Sequence, residues 1–324
     1  MFFDFSLTPP YPTTSNAYTR HLINVHNCDV YWEDMPLEDG AASGIQTLDK
    51  INGPADLVIA LGGDGTLLRA SSFFPGKTPP VLSFAMGTLS FLLPHQFESF
   101  GAVLGRIFEN RSMIVVPRMR LSYRIDNGID DEAHAASSLP VVSMNEVVIH
   151  RGASLHPMHY DIFINDHYLT STVADGVIVS TPTGSTAYSV TAGGSMVAPT
   201  VRALALTAIC PLSLSFRPIL LPPNVKISLK MRSRTGKSDT AEAATYIDGV
   251  QGPHIFTGST VHISAAEYPL YTVAQAGGTE DWLRSIRSLK WNQSFGPLAG
   301  EAPASIHDHD TDRSPGGPSW SEEA

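Results

Sequence analysis

Asp64 is the first residue of this chain that asks for a chemical explanation. It is a carboxylate among three glycines, in Leu61-Gly62-Gly63-Asp64-Gly65-Thr66-Leu67-Leu68, directly after the apolar run Asp56-Leu57-Val58-Ile59-Ala60. Glycines admit a bulky ligand to backbone distance. Turns whose backbone sign alternates aim successive N–H groups at one point, which suits phosphate oxygens. A carboxylate there can orient a hydroxyl or a Mg²⁺ ion. Thr66 to Phe74 starts polar and continues apolar, so a helix is predicted there, and its N-terminus favours anions. Such a unit suits phosphoryl transfer, where positioning and charge neutralisation dominate. Gly-Gly and Asp-Gly also make ordinary turns, so the loop alone leaves both readings open.

Residues 145–194 are the second dense region. Asn145-Glu146 interrupts the apolar frame of Val141-Val142 and Val147-Val148-Ile149. A buried amide and carboxylate need partners. The partner is either backbone at a strand end or a ligand with vicinal hydroxyls and an amino heterocycle. Further on, Asp175-Gly176-Val177-Ile178-Val179 leads into Ser180-Thr181-Pro182-Thr183-Gly184-Ser185-Thr186-Ala187-Tyr188-Ser189, then Thr191-Ala192-Gly193-Gly194-Ser195. Its hydroxyls can orient ribose and phosphate oxygens, or cap a helix. Arg217, in Ser215-Phe216-Arg217-Pro218, suits either a phosphate contact or an ion pair at a domain junction.

These residues need a scaffold. Up to about residue 116 the pattern alternates between short apolar runs and helical spacing. Strands are expected at Val30–Trp32, Asp56–Leu61 and Pro80–Phe84, and helices at Tyr18–His26, Thr66–Phe74 and Phe97–Glu109. Alternation of this kind implies a parallel sheet covered by helices, with ligands at the carboxyl ends of the strands. From Val115 the period becomes 2. Met119, Leu121, Tyr123 and Ile125 alternate with arginines and a serine, and Val225 to Met231 alternates with Lys226, Ser228 and Lys230. Asn165-Asp166 between Asp161–Ile164 and His167–Leu169 reads as a hairpin. Val177–Val179 and Ala203–Ile209 are further strands. This part is therefore expected to be a β-sandwich. Asp126–Pro140 and Arg234–Ala243 read as polar loops. Trp282, Leu283, Ile286, Leu289 and Trp291 suggest a final helix and a docked terminal segment.

Composition sets limits. The chain has 324 residues, 43% of them hydrophobic, and a formal net charge of −10. Six acids against Arg313 place −5 of that charge within residues 301–324, so the remainder is only mildly acidic. No basic footprint for nucleic acid is present. No apolar run is long enough for a transmembrane helix. Cys28 and Cys210 show no metal-ligand spacing, which fits a reducing compartment. The first sixteen residues carry no signal-peptide core, and cytoplasmic residence is the expectation. His307 and His309 sit in a tail whose composition predicts disorder.

Taken together, the motifs resemble the ATP-dependent NAD kinase family in its eukaryotic form. The resemblance spans about Val30 to Phe295 and rests on GGDGT at 62–66, AMGTLSFL at 85–92, NEVVIHRG at 145–152, DGVIVSTPTGSTAYSVTAGG at 175–194 and ICPLSLSFRPILLP at 209–222. Asp248-Gly249 and the Trp282–Trp291 segment add to it. GGDGT alone is shared with lipid kinases and phosphofructokinases. The STPTGSTAYS segment after an NE pair is far more specific.

The resemblance implies an N-terminal Rossmann-like α/β domain over 1–117, irregular over 1–16. It implies a C-terminal all-β sandwich that binds NAD over 118–270, a segment returning to the first domain over 271–296, and a disordered acidic tail over 297–324. It implies transfer of the γ-phosphoryl of ATP to the 2′-hydroxyl of the adenosine ribose of NAD(H), with Mg²⁺, in a homodimer or homotetramer. Asp64 then matches the catalytic carboxylate. Gly62, Gly63, Gly65 and Thr66 match the phosphate loop. Asn145 and Glu146 match the pair holding ribose and adenine, Asp175 the acid near the nicotinamide half, and Phe91 an aromatic packed on the ligand. Thr186, Ala187, Tyr188 and Thr191 match the dinucleotide-lining turn. No metal ligand is assigned beyond Mg²⁺ arriving with nucleotide near Asp64.

Three departures stand out. Ser90 replaces the family's usual glycine, and its Cβ is expected to crowd the ligand or strain a positive-φ turn. Leu212 stands where eukaryotic relatives usually have His. The N-terminus lacks the usual apolar strand, for which Phe2, Phe3 and Phe5 are a poor substitute. Two competing readings follow: an impaired NAD-binding relative, and a GGDGT lipid kinase, which would need an acyl-chain pocket in place of the hydroxyl-rich turn.

Overall fold

The computed structural model describes residues 22, 28–32, 45–47, 55–87, 90–127, 141–233 and 241–289. Most of the Tyr18–His26 helix, the N-terminal phenylalanines, most of both polar inserts, Trp291 and the acidic tail lie outside them. Strands β1 (Val30–Trp32) and β2 (Ile45–Thr47) form a parallel pair. Strand β3 (Val58–Gly62) runs parallel to β4 (Val81–Ala85), and every residue of both is buried. Continuous apolar runs of this kind belong to strands covered on both faces. Strand β5 (His95–Gln96) adds to β4, and a 3₁₀ turn, Phe97–Ser99, leads into helix Phe100–Asn110. That helix buries Phe100, Val103 and Leu104 against Ile59, Leu61 and Phe84.

The first sheet is mixed, where the alternating pattern predicts a parallel one. Its order is β3-β4-β19-β6, with β6 at Val115–Arg118 and β19 at Leu270–Val273. The late strand β19 lies parallel to β4 and antiparallel to β6. A strand from the far end of the chain needs no crossover helix, so local alternation could not reveal it.

The intervening chain forms two antiparallel six-stranded sheets. One has the order β11-β10-β15-β18-β7-β8, from β7 (Leu121–Asp126), β8 (Val141–Ser143), β10 (Met158–Ile164), β11 (His167–Ala174), β15 (Ile227–Arg232) and β18 (Thr260–Ala265). The other has the order β14-β13-β12-β9-β16-β17, from β9 (Glu146–His150), β12 (Gly176–Ser180), β13 (Leu204–Ile209), β14 (Ile219–Leu221), β16 (Glu242–Ile247) and β17 (Val250–Phe256). Leu121, Tyr160, Ile162, Leu229 and Ile263 of the first meet Val147, Ile149, Val177, Val179 and Leu206 of the second. The sandwich is the one expected from the period-2 pattern. In the predicted hairpin, Asn165 and Asp166 both take positive φ, at 50° and 65°, which two-residue hairpin turns require.

The alternation from Arg118 to Ile125 is not one strand. β6 ends at Arg118, and Met119-Arg120 carries the chain from the first sheet into the sandwich. Arg120 is fully buried at this crossing, and its partners among the described residues are carbonyls. Its guanidinium donates to Ser71 O, Phe74 O, Gly76 O and Tyr268 O. Two of these close the C-terminal end of helix Asp64–Ser72, where a cation complements the helix dipole. Burial lowers its pKa to about 10, so it stays charged at neutral pH. Arg120→Met leaves several buried carbonyls without donors, at roughly 1–3 kcal/mol each. Urea unfolding of that variant is expected to show a loss of at least ~3 kcal/mol.

Candidate active site

The strand-to-helix turn after β3 is tighter than the sequence suggests. The helix starts at Asp64 itself and runs to Ser72, two residues earlier than expected, with Gly63 as its N-cap in extended conformation. There is therefore no run of alternating backbone sign. The amides that could meet an anion are those of the first helical turn. Gly62 is glycine because a Cβ there would strike the Thr66 hydroxyl. A Cβ on Gly63 or Gly65 would meet open space among the described residues, so packing there does not require glycine.

Asp64 is held by a second segment. Its Oδ1 accepts from the Ser90 hydroxyl at 2.7 Å, Phe91 N at 3.0 Å and Leu92 N at 2.9 Å. Among the described residues its Oδ2 accepts only a share of the Phe91 N–H, at 3.0 Å, so Oδ1 carries three donors and Oδ2 one. Phe91, half-buried, packs on the cluster of Leu67, Leu92, Leu93 and Met144.

Met144 links this segment to the second motif. Asn145 follows it, at the step where the chain leaves β8 in one sheet and enters β9 in the other. That step is organised by Asp248, whose importance sequence reasoning missed. The Asp248 carboxylate accepts from Ser143 Oγ at 2.6 Å, Met144 N at 2.8 Å, Asn145 N at 2.7 Å and Glu146 N at 3.2 Å. Asp248-Gly249 also makes the β16–β17 turn, with φ of 50° and 80°. The turn signal was local and legible, whereas the clasp about a hundred residues away was not.

The hydroxyl-rich turn packs directly on Asn145. A Cβ on Gly184 would strike the Asn145 carbonyl, and Thr181 N donates to that carbonyl at 2.9 Å. Several hydroxyls hold the turn itself. Thr181 Oγ1 donates to Met144 O, Ser185 Oγ to Pro182 O, and Thr186 Oγ1 to Thr183 O. Ser189 pairs with Thr207. The Thr186 hydroxyl is thus spent within its own turn, while the Glu146 carboxylate accepts the Tyr188 N–H. Thr191 ends the short helix Tyr188–Thr191, with its side chain exposed.

Three buried oxygens here have no partner among the described residues: Asn145 Oδ1, Glu146 Oε2 and Ser180 Oγ. Glu146 and Ser180 face each other across β9 and β12. Burial, and to a lesser degree the nearby Asp248 carboxylate, pushes the Glu146 pKa up to about 8. Such an arrangement lacks the donors and acceptors that a polar ligand supplies.

Asp175 stands elsewhere on the same strand system. It opens into β12 five residues before Ser180, roughly 16 Å away at strand rise. Arg151 Nε pairs with its Oδ1 at 2.7 Å. It is near enough to Tyr188 to raise the tyrosine's pKa, after burial and Cys210. Arg217 donates to Leu214 O and Phe216 O of its own loop and forms no ion pair among the described residues, so the junction salt bridge is not the geometry found. Leu212 is exposed. The Ser90 hydroxyl is turned to the Asp64 carboxylate.

Arg118 is a second residue that sequence reasoning missed. Its Nε donates to Thr272 Oγ1 at 3.1 Å, and burial lowers its pKa to about 10 against the fields of Asp281 and Asp64. It appeared only as a polar member of a strand pattern. No cluster of three or more metal-ligating side chains occurs among the described residues.

Known proteins carry the same architecture. Residues 38–112 match the ATP-NAD kinase N-terminal domain and residues 144–275 the ATP-NAD kinase C-terminal domain. The mitochondrial NADH kinase of Schizosaccharomyces pombe is 41% identical over 243 residues, 74% of this chain and 60% of that protein. The chloroplastic NAD kinase 2 of Arabidopsis thaliana is 39% identical over 252 residues, 77% of this chain and 25% of that protein. The chain thus spans between a quarter and three fifths of these two curated relatives. The crystal structure of yeast NADH kinase complexed with NADH superposes with a TM-score of 0.78 at 31% identity, covering 92% of this chain and 89% of that one. A structure of an Archaeoglobus fulgidus NAD kinase in complex with ATP shares the fold, with a TM-score of 0.63 at 19% identity over 89% of this chain and 97% of its own. With both domain models matched in order, and with relatives at 39% and 41% identity, the chain belongs to the ATP-NAD kinase family.

Proposed function

We propose that this protein transfers the γ-phosphoryl group of ATP to the 2′-hydroxyl of the adenosine ribose of NAD or NADH, a phosphotransferase reaction with an alcohol acceptor. The observation that carries the reading is the trio of unpaired buried oxygens at Asn145, Glu146 and Ser180, linked through Met144 to the packing around Asp64. An adenosine offers what they lack: ribose hydroxyls and an exocyclic amine. The yeast relative of known structure is a complex with NADH and the archaeal one a complex with ATP.

In this reading Asn145 and Glu146 bind the adenosine half, with Phe91, Ala187, Tyr188 and Thr191 bordering the dinucleotide. Gly62, Gly63, Gly65 and Thr66 leave the first helical turn open to phosphate oxygens. The new bond joins the 2′-oxygen to the γ-phosphorus, and the bond from that phosphorus to the ADP oxygen breaks. A carboxylate with a reference pKa near 4 is a weak base for a sugar hydroxyl. Asp64 therefore aligns the hydroxyl through Oδ2 and takes its proton late, in a loose transition state. Asp175, already paired with Arg151, is assigned to the nicotinamide half, and Arg217 to a supporting role in its own loop.

Mg²⁺ typically uses one or two carboxylates plus substrate phosphates and water. An ion that arrives with the nucleotide would be held chiefly by the substrate phosphates and water, near Asp64, whose Oδ2 is kept for the acceptor hydroxyl. The bound ion supplies charge neutralisation on the phosphates. A homodimer or homotetramer is the proposed assembly, with no nucleic-acid partner. Among the described residues no helix is long and apolar enough to cross a membrane. Cytoplasmic residence is the proposed location. Cell fractionation decides it, because the S. pombe relative is mitochondrial.

The test is a coupled assay of the purified protein with ATP, Mg²⁺ and NAD, read by an NADP-specific dehydrogenase. NADP formation is expected. Binding of NAD by calorimetry with no NADP would leave an impaired relative instead, and lipid phosphorylation in its place would overturn the reading.

A further inference from the structure

We infer that Ser90 is a positioning residue for the reaction, whose hydroxyl fixes the Asp64 carboxylate so that Oδ2 alone faces the acceptor. The inference rests on the reading of Asp64 just given. Its starting point is a departure: this chain has Ser where glycine is usual, and glycine has no hydroxyl to give.

The hydroxyl is held on both sides. Leu93 N donates to Ser90 Oγ at 3.3 Å, and Ser90 Oγ donates to Asp64 Oδ1 at 2.7 Å. The incoming Leu93 N–H engages the serine oxygen, leaving the hydroxyl proton directed at Asp64. The loop carrying Ser90 is itself clamped. Ser285 Oγ, on helix Gly278–Ser288, donates to Phe91 O at 2.8 Å, while Leu92 and Leu93 are buried against Met144. Ser90 therefore moves little, and what it holds moves little.

The effect on Asp64 is orientational. Rotation of a carboxylate about its last bond is soft and nearly two-fold, and a half-turn merely swaps equivalent oxygens, so what the surrounding donors set is the plane of the group. Here the donors are unevenly shared. Oδ1 receives the Ser90 hydroxyl together with Phe91 N and Leu92 N, while Oδ2 has only a share of the Phe91 N–H. The two amides belong to backbone and survive any substitution at 90. The hydroxyl is the removable third donor. Without it the carboxylate swings through a wider arc, and a reacting hydroxyl finds its acceptor misplaced more often. Small misplacements of reacting groups carry large rate costs.

The test compares Ser90→Ala and Ser90→Thr with the wild type in the NADP-forming assay, alongside thermal melting. Ser90→Ala is expected to lower kcat roughly tenfold, the scale of one hydrogen bond to a charged group, with KM for ATP and NAD unchanged. Ser90→Thr keeps the hydroxyl and is expected to restore kcat to within about threefold of wild type. If Ser90→Ala fails to fold, Ser90→Gly is judged by the same criterion. Unchanged kcat overturns the inference. So does a raised KM at constant kcat, which would make Ser90 a ligand contact, and so does a Thr variant as slow as Ala. A wild type that forms no NADP at all would overturn the kinase reading, a result distinct from all of these.

Discussion

Asp64→Asn is expected to fold like the wild type, bind NAD, and turn over at least ~10²-fold more slowly. The asparagine carbonyl can occupy the Oδ1 position and still accept from Ser90, Phe91 N and Leu92 N, so most of the clamp on the loop survives, while the amide nitrogen at the Oδ2 position gives up the shared Phe91 N–H. What the substitution removes is the charge and basicity at Oδ2. A loss confined to kcat would mean that this oxygen acts in the transition state. Asp64→Ala differs instructively. It deletes the acceptor that ties the 90–92 loop to the helix start, so stability and turnover fall together. Melting curves and steady-state rates on the two variants separate these roles. Full activity of Asp64→Asn would remove Asp64 from the mechanism.

The second large effect is a pH dependence centred on Glu146. Its folded-state pKa is raised to about 8 by burial, with Asp248 adding to the shift. In the unfolded chain it ionises near the ordinary glutamate value of about 4.3. Between those values folding requires the carboxyl to hold a proton that the unfolded chain has lost. Stability of the ligand-free protein should therefore fall as pH rises from about 4.3 to about 8, by a few kcal/mol, and level off above that. Asp248, also raised by burial, acts in the same direction. Glu146→Gln should flatten most of this slope in urea unfolding measured across that range. The same variant should raise KM for NAD roughly tenfold or more, since it loses an ionisable acceptor for ribose hydroxyls. Saturating NAD should flatten the wild-type slope by favouring the ionised carboxylate, with protons released on binding that calorimetry in two buffers detects. A wild-type slope unchanged in Glu146→Gln would assign the pH dependence to other groups.

Some of this was legible without coordinates, for identifiable reasons. The strand before Gly62, the Asn165-Asp166 hairpin and the apolar stripe of helix Phe100–Asn110 follow from near-neighbour rules of burial period and turn conformation. Chemically unusual residues were visible as well, because a carboxylate among glycines and an Asn-Glu pair in an apolar frame violate local expectation. Their setting was not. What the Ser90 side chain would meet depended on the fold, which turns its hydroxyl to the Asp64 carboxylate. Whether the STPTGS hydroxyls served ligand or fold depended on carbonyls such as Met144 O and Thr183 O, which lie within reach only after packing.

The division follows from range. By itself the sequence determined the two structural halves, the placing of a carboxylate among glycines at the Asp64 turn and the polar identity of the Asn145-Glu146 step, because each is written in residues a few positions apart. Only the tertiary structure decided that β19 enters the first sheet, that Arg120 closes the helix bearing Asp64, that Asp248 clasps the Asn145 step and that Ser90 grips one Asp64 oxygen. Each of those joins residues from about 26 to 190 positions apart. A buried hydrogen bond or charge is selected by what surrounds it once water has been excluded, and no local pattern encodes that environment.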